Sequence, residues 1–143
     1  MRDKVAYPYK SLHKYPGMRP RDVAIWDQFI INHPGAFERV WYDVHVGDPV
    51  DDPRKDDEMR KSGMFDVSCW CIDVVAETRA SIYIIEVKPN ALAGALGQAL
   101  AYTKFAKRLN MTNKPLIPVV LTDNISPITL QAAEMLRVIL LTP

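Results

Sequence analysis

Cysteine and histidine are scarce in this 143-residue chain: Cys69 and Cys71 are the only thiols, and His13, His33 and His45 the only imidazoles. Two cysteines at i,i+2 on one strand are poorly placed to bond each other, which excludes a disulfide scaffold and fits a reducing compartment. The histidines show no paired ligand spacing, so no zinc motif is written along the chain, and both cysteines read as small core-type residues. No apolar run approaches the ~20 residues that span a bilayer, and Met1-Arg2-Asp3-Lys4 leads into no apolar signal region. The expectation is a cytoplasmic protein with no membrane partner. Net charge is nearly absent at +1, so the charge total alone does not advertise a polyanionic ligand.

The charge that is present is segregated. Residues 1–21 carry Arg2, Lys4, Lys10, Lys14, Arg19 and Arg21 against Asp3 alone, interleaved with Tyr7, Tyr9 and Tyr15. From Val87 to Thr122 there are Lys88, Lys104, Lys107, Arg108 and Lys114 and no acid. Such stretches suit phosphate contacts and tyrosines stack on bases, while a solvated arm and a polar helix face account for the same pattern.

Residues 1–20 read as a basic, Pro/Tyr-rich arm in which Pro8, Pro16, Gly17 and Pro20 break any regular element, and 21–143 as a single domain. Asp22 to Asn32 is a helix with Val23, Trp26, Phe29 and Ile30 at helical spacing, closed by His33-Pro34-Gly35. Glu38 to Val46 alternates as a strand with Val40, Tyr42, Val44 and Val46 on one side. The charged segment 47–63 is expected to be a mobile loop. Met64 to Val75 and Ser81 to Lys88 are strands joined by a turn at Ala76 to Ala80, hence antiparallel. Ala91 to Leu109 is a helix with a Leu92, Leu96, Ala99, Thr103 stripe, in which Gly94 and Gly97 permit close backbone approach. Leu116 to Thr122 is a strand, Pro127 to Leu136 a helix and Val138 to Leu141 a last strand. There is no internal repeat. The predicted fold class is α/β, a central mixed sheet flanked by helices, with an αβββαβ core plus a C-terminal αβ.

The chemistry centres on the end of the third predicted strand, where Ile82-Tyr83-Ile84-Ile85 is followed by Glu86-Val87-Lys88-Pro89. Residues i and i+2 of a strand share a face ~6.6 Å apart, so one carboxylate and one ammonium address the same small volume. With seventeen acids in the chain, an acid-x-Lys arises by chance about once. Phosphodiester hydrolysis needs a hard cation and an activated water, and Mg²⁺ takes oxygen ligands from one or two carboxylates. Asp66, on the preceding strand with Ser68 and Trp70, is the preferred second carboxylate. Lys88 orients the attacking water and stabilises developing charge. A solvated Glu86–Lys88 ion pair is the bland alternative.

In the next helix Gln98 and Tyr102 stand at i,i+4, on one face. Asp66, Glu86-Val87-Lys88 and Gln98-x-x-x-Tyr102 together resemble the PD-(D/E)xK nuclease superfamily, in the branch with a Gln-x-x-x-Tyr motif found in RecB-type nuclease domains. The resemblance covers residues 21 to 142. It implies a restriction-endonuclease-like fold and Mg²⁺- or Mn²⁺-dependent cleavage of DNA. It also implies that Asp66, Glu86 and the Val87 carbonyl hold the metal, Lys88 assists catalysis, and Gln98 and Tyr102 organise the site or contact DNA. Asp66 follows Phe65 where the family name has proline, and Asp22 or Asp27 is the counterpart of a helix-one acid. The lone-domain scale resembles stand-alone nucleases of phages or mobile elements, which would place it in a host cytoplasm. Junction resolvases among them imply a homodimer.

Two alternatives stand beside this reading: a structure-specific or RNA-directed nuclease using the same groups, and a catalytically silent nuclease-fold module for DNA binding or assembly. Among the remaining polar residues, Glu38 and Asp43 read as surface or loop-anchoring groups and Asp123 as a turn or cap. Trp26, Trp41 and Trp70 read as core.

Overall fold

The computed structural model describes residues 5–47, 70–108 and 113–143. The elements are β1 (Tyr7–Pro8), α1 (Pro20–Asn32), β2 (Arg39–Val46), β3 (Trp70–Glu77), β4 (Ile82–Val87), α2 (Ala93–Arg108), β5 (Leu116–Leu121), α3 (Pro127–Leu136) and β6 (Ile139–Leu141). Among the described residues the strands form one sheet in sequence order, antiparallel from β1 to β4 and parallel from β4 to β6. The change of sense follows from the connections. A tight turn, in which the Thr78 N–H donates to the Ser81 carbonyl at 2.9 Å, can join only antiparallel strands, whereas α2 and α3 supply the long crossovers that parallel pairs require. The mixed α/β sheet is therefore as expected. The charged segment 48–63, the 64–69 portion of the second predicted strand and Asp66 lie outside the described residues. No helix among the described residues is long and apolar enough to cross a membrane.

Helix α1 opens with Pro20, whose missing N–H costs nothing at a helix start, and places Asp22 in the favourable first turn. It buries Ile25, Trp26, Phe29 and Ile30 against Val40, Tyr42, Val74, Ile85, Val87, Val119 and Leu121 on one face of the sheet. The other face carries α2, with Tyr102 and Ala106 over Trp41, Ile72, Val75 and Ile84, and α3, whose Ala133 meets Leu96, Ala99 and Val120.

Several local expectations need correction. Pro8 does not end all regular structure, because β1 is an edge strand, where a residue without an N–H is tolerated. The arm tyrosines are not free to stack on bases: Tyr15 is buried, and Tyr7 and Tyr9 pack edge-on against Tyr42, Trp26 and Phe37. Leu92 precedes α2 and is exposed, and the buried stripe runs through Ala95, Leu96, Ala99, Tyr102, Thr103 and Ala106 instead. Gly94 and Gly97 serve no close approach, since a Cβ on either would meet nothing within 4 Å. Trp26 and Trp41 are core, but Trp70 is 54% exposed, its ring lying along α2 against Tyr102 and Phe105 at the rim of the sheet.

The largest departure is in β2. Val40 and Tyr42 face α1, but Val44 and Val46 belong to the α2-side cluster with Trp41. Asp43, between them, has a left-handed φ of 51°, which breaks the period-two alternation. β3 changes face at the same level, with Val74 on the α1 side and Ile72 with Val75 on the α2 side. The register Tyr42↔Val74 and Val44↔Ile72 sets Asp43 across from Asp73 at this double kink.

Candidate functional site

The site begins with how the β3–β4 hairpin ends. Its register pairs Glu77↔Ile82 through Val74↔Ile85, so the next rung sets Asp73 opposite Glu86. Ladder pairing with β3 stops at Ile85, while β4 goes on pairing with β5 through Val87↔Leu121, and the Lys88 N–H reaches the Leu121 carbonyl at 2.9 Å. The Val87 N–H donates to Oδ2 of Asp73 at 2.8 Å. Backbone hydrogen bonding thus passes from strand to side chain, and it aims the Asp73 carboxyl at the end of β4.

Across this rung each carboxyl acts on the ionisation of the other, and Glu86 is only 7% exposed. Burial, with the Asp73 charge next in weight, pushes the Glu86 carboxyl up to about 8; Lys88 opposes the shift. Burial likewise pushes Asp73 up to about 6, against the lowering effect of the Val87 N–H. Burial and mutual repulsion both disfavour a second negative charge here, and a bound cation would relieve both. Oε2 of Glu86 is buried and has no hydrogen-bond partner.

A cavity of about 620 Å³ opens over this pair. Arg19, Arg21 and Asp22 enter it from the start of α1, Gln98 and Tyr102 from α2, and Lys88 from the end of β4. Nε2 of Gln98 donates to the Tyr102 hydroxyl at 3.4 Å, so the i,i+4 pair acts as one unit on the cavity wall. The Tyr102 hydroxyl is raised above its ordinary range by burial, with the Glu86 charge as the next cause.

Of the residues singled out in the sequence, Glu86, Val87, Lys88, Gln98 and Tyr102 come together around this cavity. Asp66 lies outside the described residues, and the carboxylate found beside Glu86 is Asp73, which the sequence reading passed over. The placement of the hairpin turn accounts for the difference. A turn at Ala76–Ala80 is centred on Thr78 and sets Glu86 across from Trp70. The observed turn is centred between Arg79 and Ala80 and sets it across from Asp73. Of the two helix-one acids, Asp22 lines the cavity, whereas Asp27 accepts the Tyr15 hydroxyl. Glu38 is exposed and away from the cavity, and Asp123 anchors a turn by accepting the Asn90 N–H at 2.7 Å. The donors around Asp73, Glu86 and the Val87 carbonyl are hard oxygens, and the unpartnered Glu86 oxygen is a vacant acceptor among them, a set that fits a hard divalent cation. Comparison of the chain with protein-family models, with curated proteins and with solved structures finds no match.

Proposed function

We propose that this chain is a metal-dependent nuclease that hydrolyses DNA phosphodiester bonds, built on a restriction-endonuclease-like fold and acting in the cytoplasm. The observation that carries the reading is the buried Asp73–Glu86 pair, with an unpartnered Glu86 oxygen, at the floor of a cavity whose rim holds Lys88, Arg19 and Arg21. Asp73 takes the role that the sequence reading assigned to Asp66, and Asp73, Glu86 and the Val87 carbonyl would hold Mg²⁺ or Mn²⁺. Such an ion supplies charge neutralisation at the phosphate and a more acidic water.

The chain's own residues account for the rest. Lys88 presents its ammonium beside the pair, where it orients a water and stabilises charge developing on the scissile phosphate. Arg19 and Arg21 hold the flanking backbone phosphates by charge-assisted hydrogen bonds. The Val87 N–H keeps Asp73 turned toward Glu86, and Gln98 with Tyr102 fixes the wall against which substrate lies. Trp70, exposed beside Tyr102, offers a stacking surface to an unpaired base. The reading extends to a homodimer, to be measured by sedimentation.

The test is cleavage of duplex, single-stranded and branched DNA, and of RNA, with Mg²⁺, with Mn²⁺ and with chelator. Metal-dependent cleavage of DNA is expected, lost in Glu86→Gln and Lys88→Ala while both variants melt as folded proteins. A wild type that cleaves none of these substrates, or variants that cleave as well as wild type, would end the proposal. Cleavage of RNA alone would reassign the substrate.

A further inference from the structure

We propose a second metal site, formed by Asp43, His45 and Cys71 and suited to a thiophilic divalent cation of the zinc class. It does not rest on the nuclease reading. One donor atom from each residue lies within 4.8 Å of the others, and Oδ2 of Asp43 is 3.5 Å from Nε2 of His45. Four-coordinate zinc holds such ligands at ~2.0–2.3 Å, which sets pairs of donors ~3.3–3.8 Å apart, so small side-chain rotations close the set. All three residues are half-buried.

The double kink builds this group. His45 and Cys71 are cross-strand partners, and directly opposed side chains have Cβ atoms only ~4.5–5.5 Å apart. Val44, Val46 and Ile72 face α2, so His45 and Cys71, which alternate with them, face the other way. Asp43 adopts a left-handed conformation that costs a non-glycine residue energy, and Gly17 of the arm is packed so tightly on it that a Cβ there would lie 2.7 Å from Oδ1. The backbone is thus bent, and the arm pressed down, where the carboxylate reaches the imidazole.

The donor chemistry separates this site from its neighbour. A thiolate, an imidazole and one carboxylate select zinc-class ions, whereas the Asp73–Glu86 oxygens select Mg²⁺ or Mn²⁺. Three protein ligands leave a fourth position for water or an anionic ligand, and Cys71 already lines the cavity over the carboxylate pair. An ion here also clamps β2 to β3 at the level where both strands change face.

The test uses the full chain, stripped with chelator and titrated with Co²⁺ in excess Mg²⁺. One equivalent is expected to bind with a near-ultraviolet thiolate-to-cobalt charge-transfer band that Zn²⁺ abolishes by displacement. Cys71→Ser should lose the band, and Asp43→Asn and His45→Gln should weaken binding by at least ~10-fold, with melting curves showing that each variant is folded. Glu86→Gln and Cys69→Ser should keep it, which separates this site from any failure of the nuclease reading. The absence of a band in the wild type, its survival in Cys71→Ser or its loss in Cys69→Ser would overturn the proposal.

Discussion

Asp73 and Glu86 stand opposite each other one rung beyond the last paired residues of the β3–β4 hairpin, Val74 and Ile85, with the Val87 N–H donated to Asp73. Had the ladder run one rung further, backbone pairing would compete for that N–H. Because it stops, the folded chain holds two acids together in a place from which water is largely removed.

That arrangement sets a pH dependence. Both carboxyls sit above their ordinary values, near 6 for Asp73 and near 8 for Glu86. A carboxyl raised on folding contributes fully below its unfolded pKa, and its contribution is lost as pH rises through the folded value. In chelator, the wild type should therefore melt at progressively lower temperature between about pH 4 and pH 8. Asp73→Asn should flatten that slope and melt higher than wild type at pH 8, as scanning calorimetry across pH will show. The same variant should lose cleavage by more than the ~10–100-fold typical of an outer-shell change.

Metal uptake should follow the same protons. An ion bound by the pair needs both carboxylates ionised, so Mg²⁺ binding at pH 6.5 should release protons and tighten as pH rises toward about 8. Titration calorimetry in buffers of different ionisation enthalpy measures the release. In Glu86→Gln both the release and the tightening above pH 6.5 should shrink, leaving only the part carried by Asp73.

Two glycines should answer oppositely to alanine. Gly17 has a φ of +72° and lies against Asp43, so Gly17→Ala should cost at least ~1–2 kcal/mol for the backbone alone. Gly97 is within α2 with open space around it, so Gly97→Ala should stabilise by ~0.5–1 kcal/mol. Denaturant midpoints compare the two directly.

Trp26 is fully buried, and its indole N–H donates to the Tyr42 hydroxyl at 3.0 Å. Tyr42→Phe keeps the ring and strands that N–H, for an expected loss of ~1–3 kcal/mol in urea unfolding. A neutral result would mean that the indole finds another acceptor.

Where an element is made by local signals, the sequence located it closely. Helix α3 spans Pro127–Leu136 as predicted, since Ser126 caps it by accepting the Thr129 N–H and Pro127 starts it. The strand ending in Glu86 and Lys88 and the i,i+4 pair Gln98 and Tyr102 were legible for the same reason: their spacing lies within one element.

What lay between elements was not legible. The partner of Glu86 depended on where the turn is centred, because a shift of one residue at a hairpin turn moves the residue opposite by two. The faces of Val44 and Val46 depended on Asp43 adopting a left-handed conformation, with Gly17 of the distant arm packed against it. His45 and Cys71 are 26 residues apart in the chain and adjacent only across β2 and β3. By itself, then, the sequence determined the three helices, the approximate places of the strands after β1 and the mixed sheet they form, since these follow from periodicity and turn chemistry. Only the tertiary structure decided that Asp73 faces Glu86 and that Asp43, His45 and Cys71 converge, because register and kinks are set by packing between segments that no single stretch of chain contains.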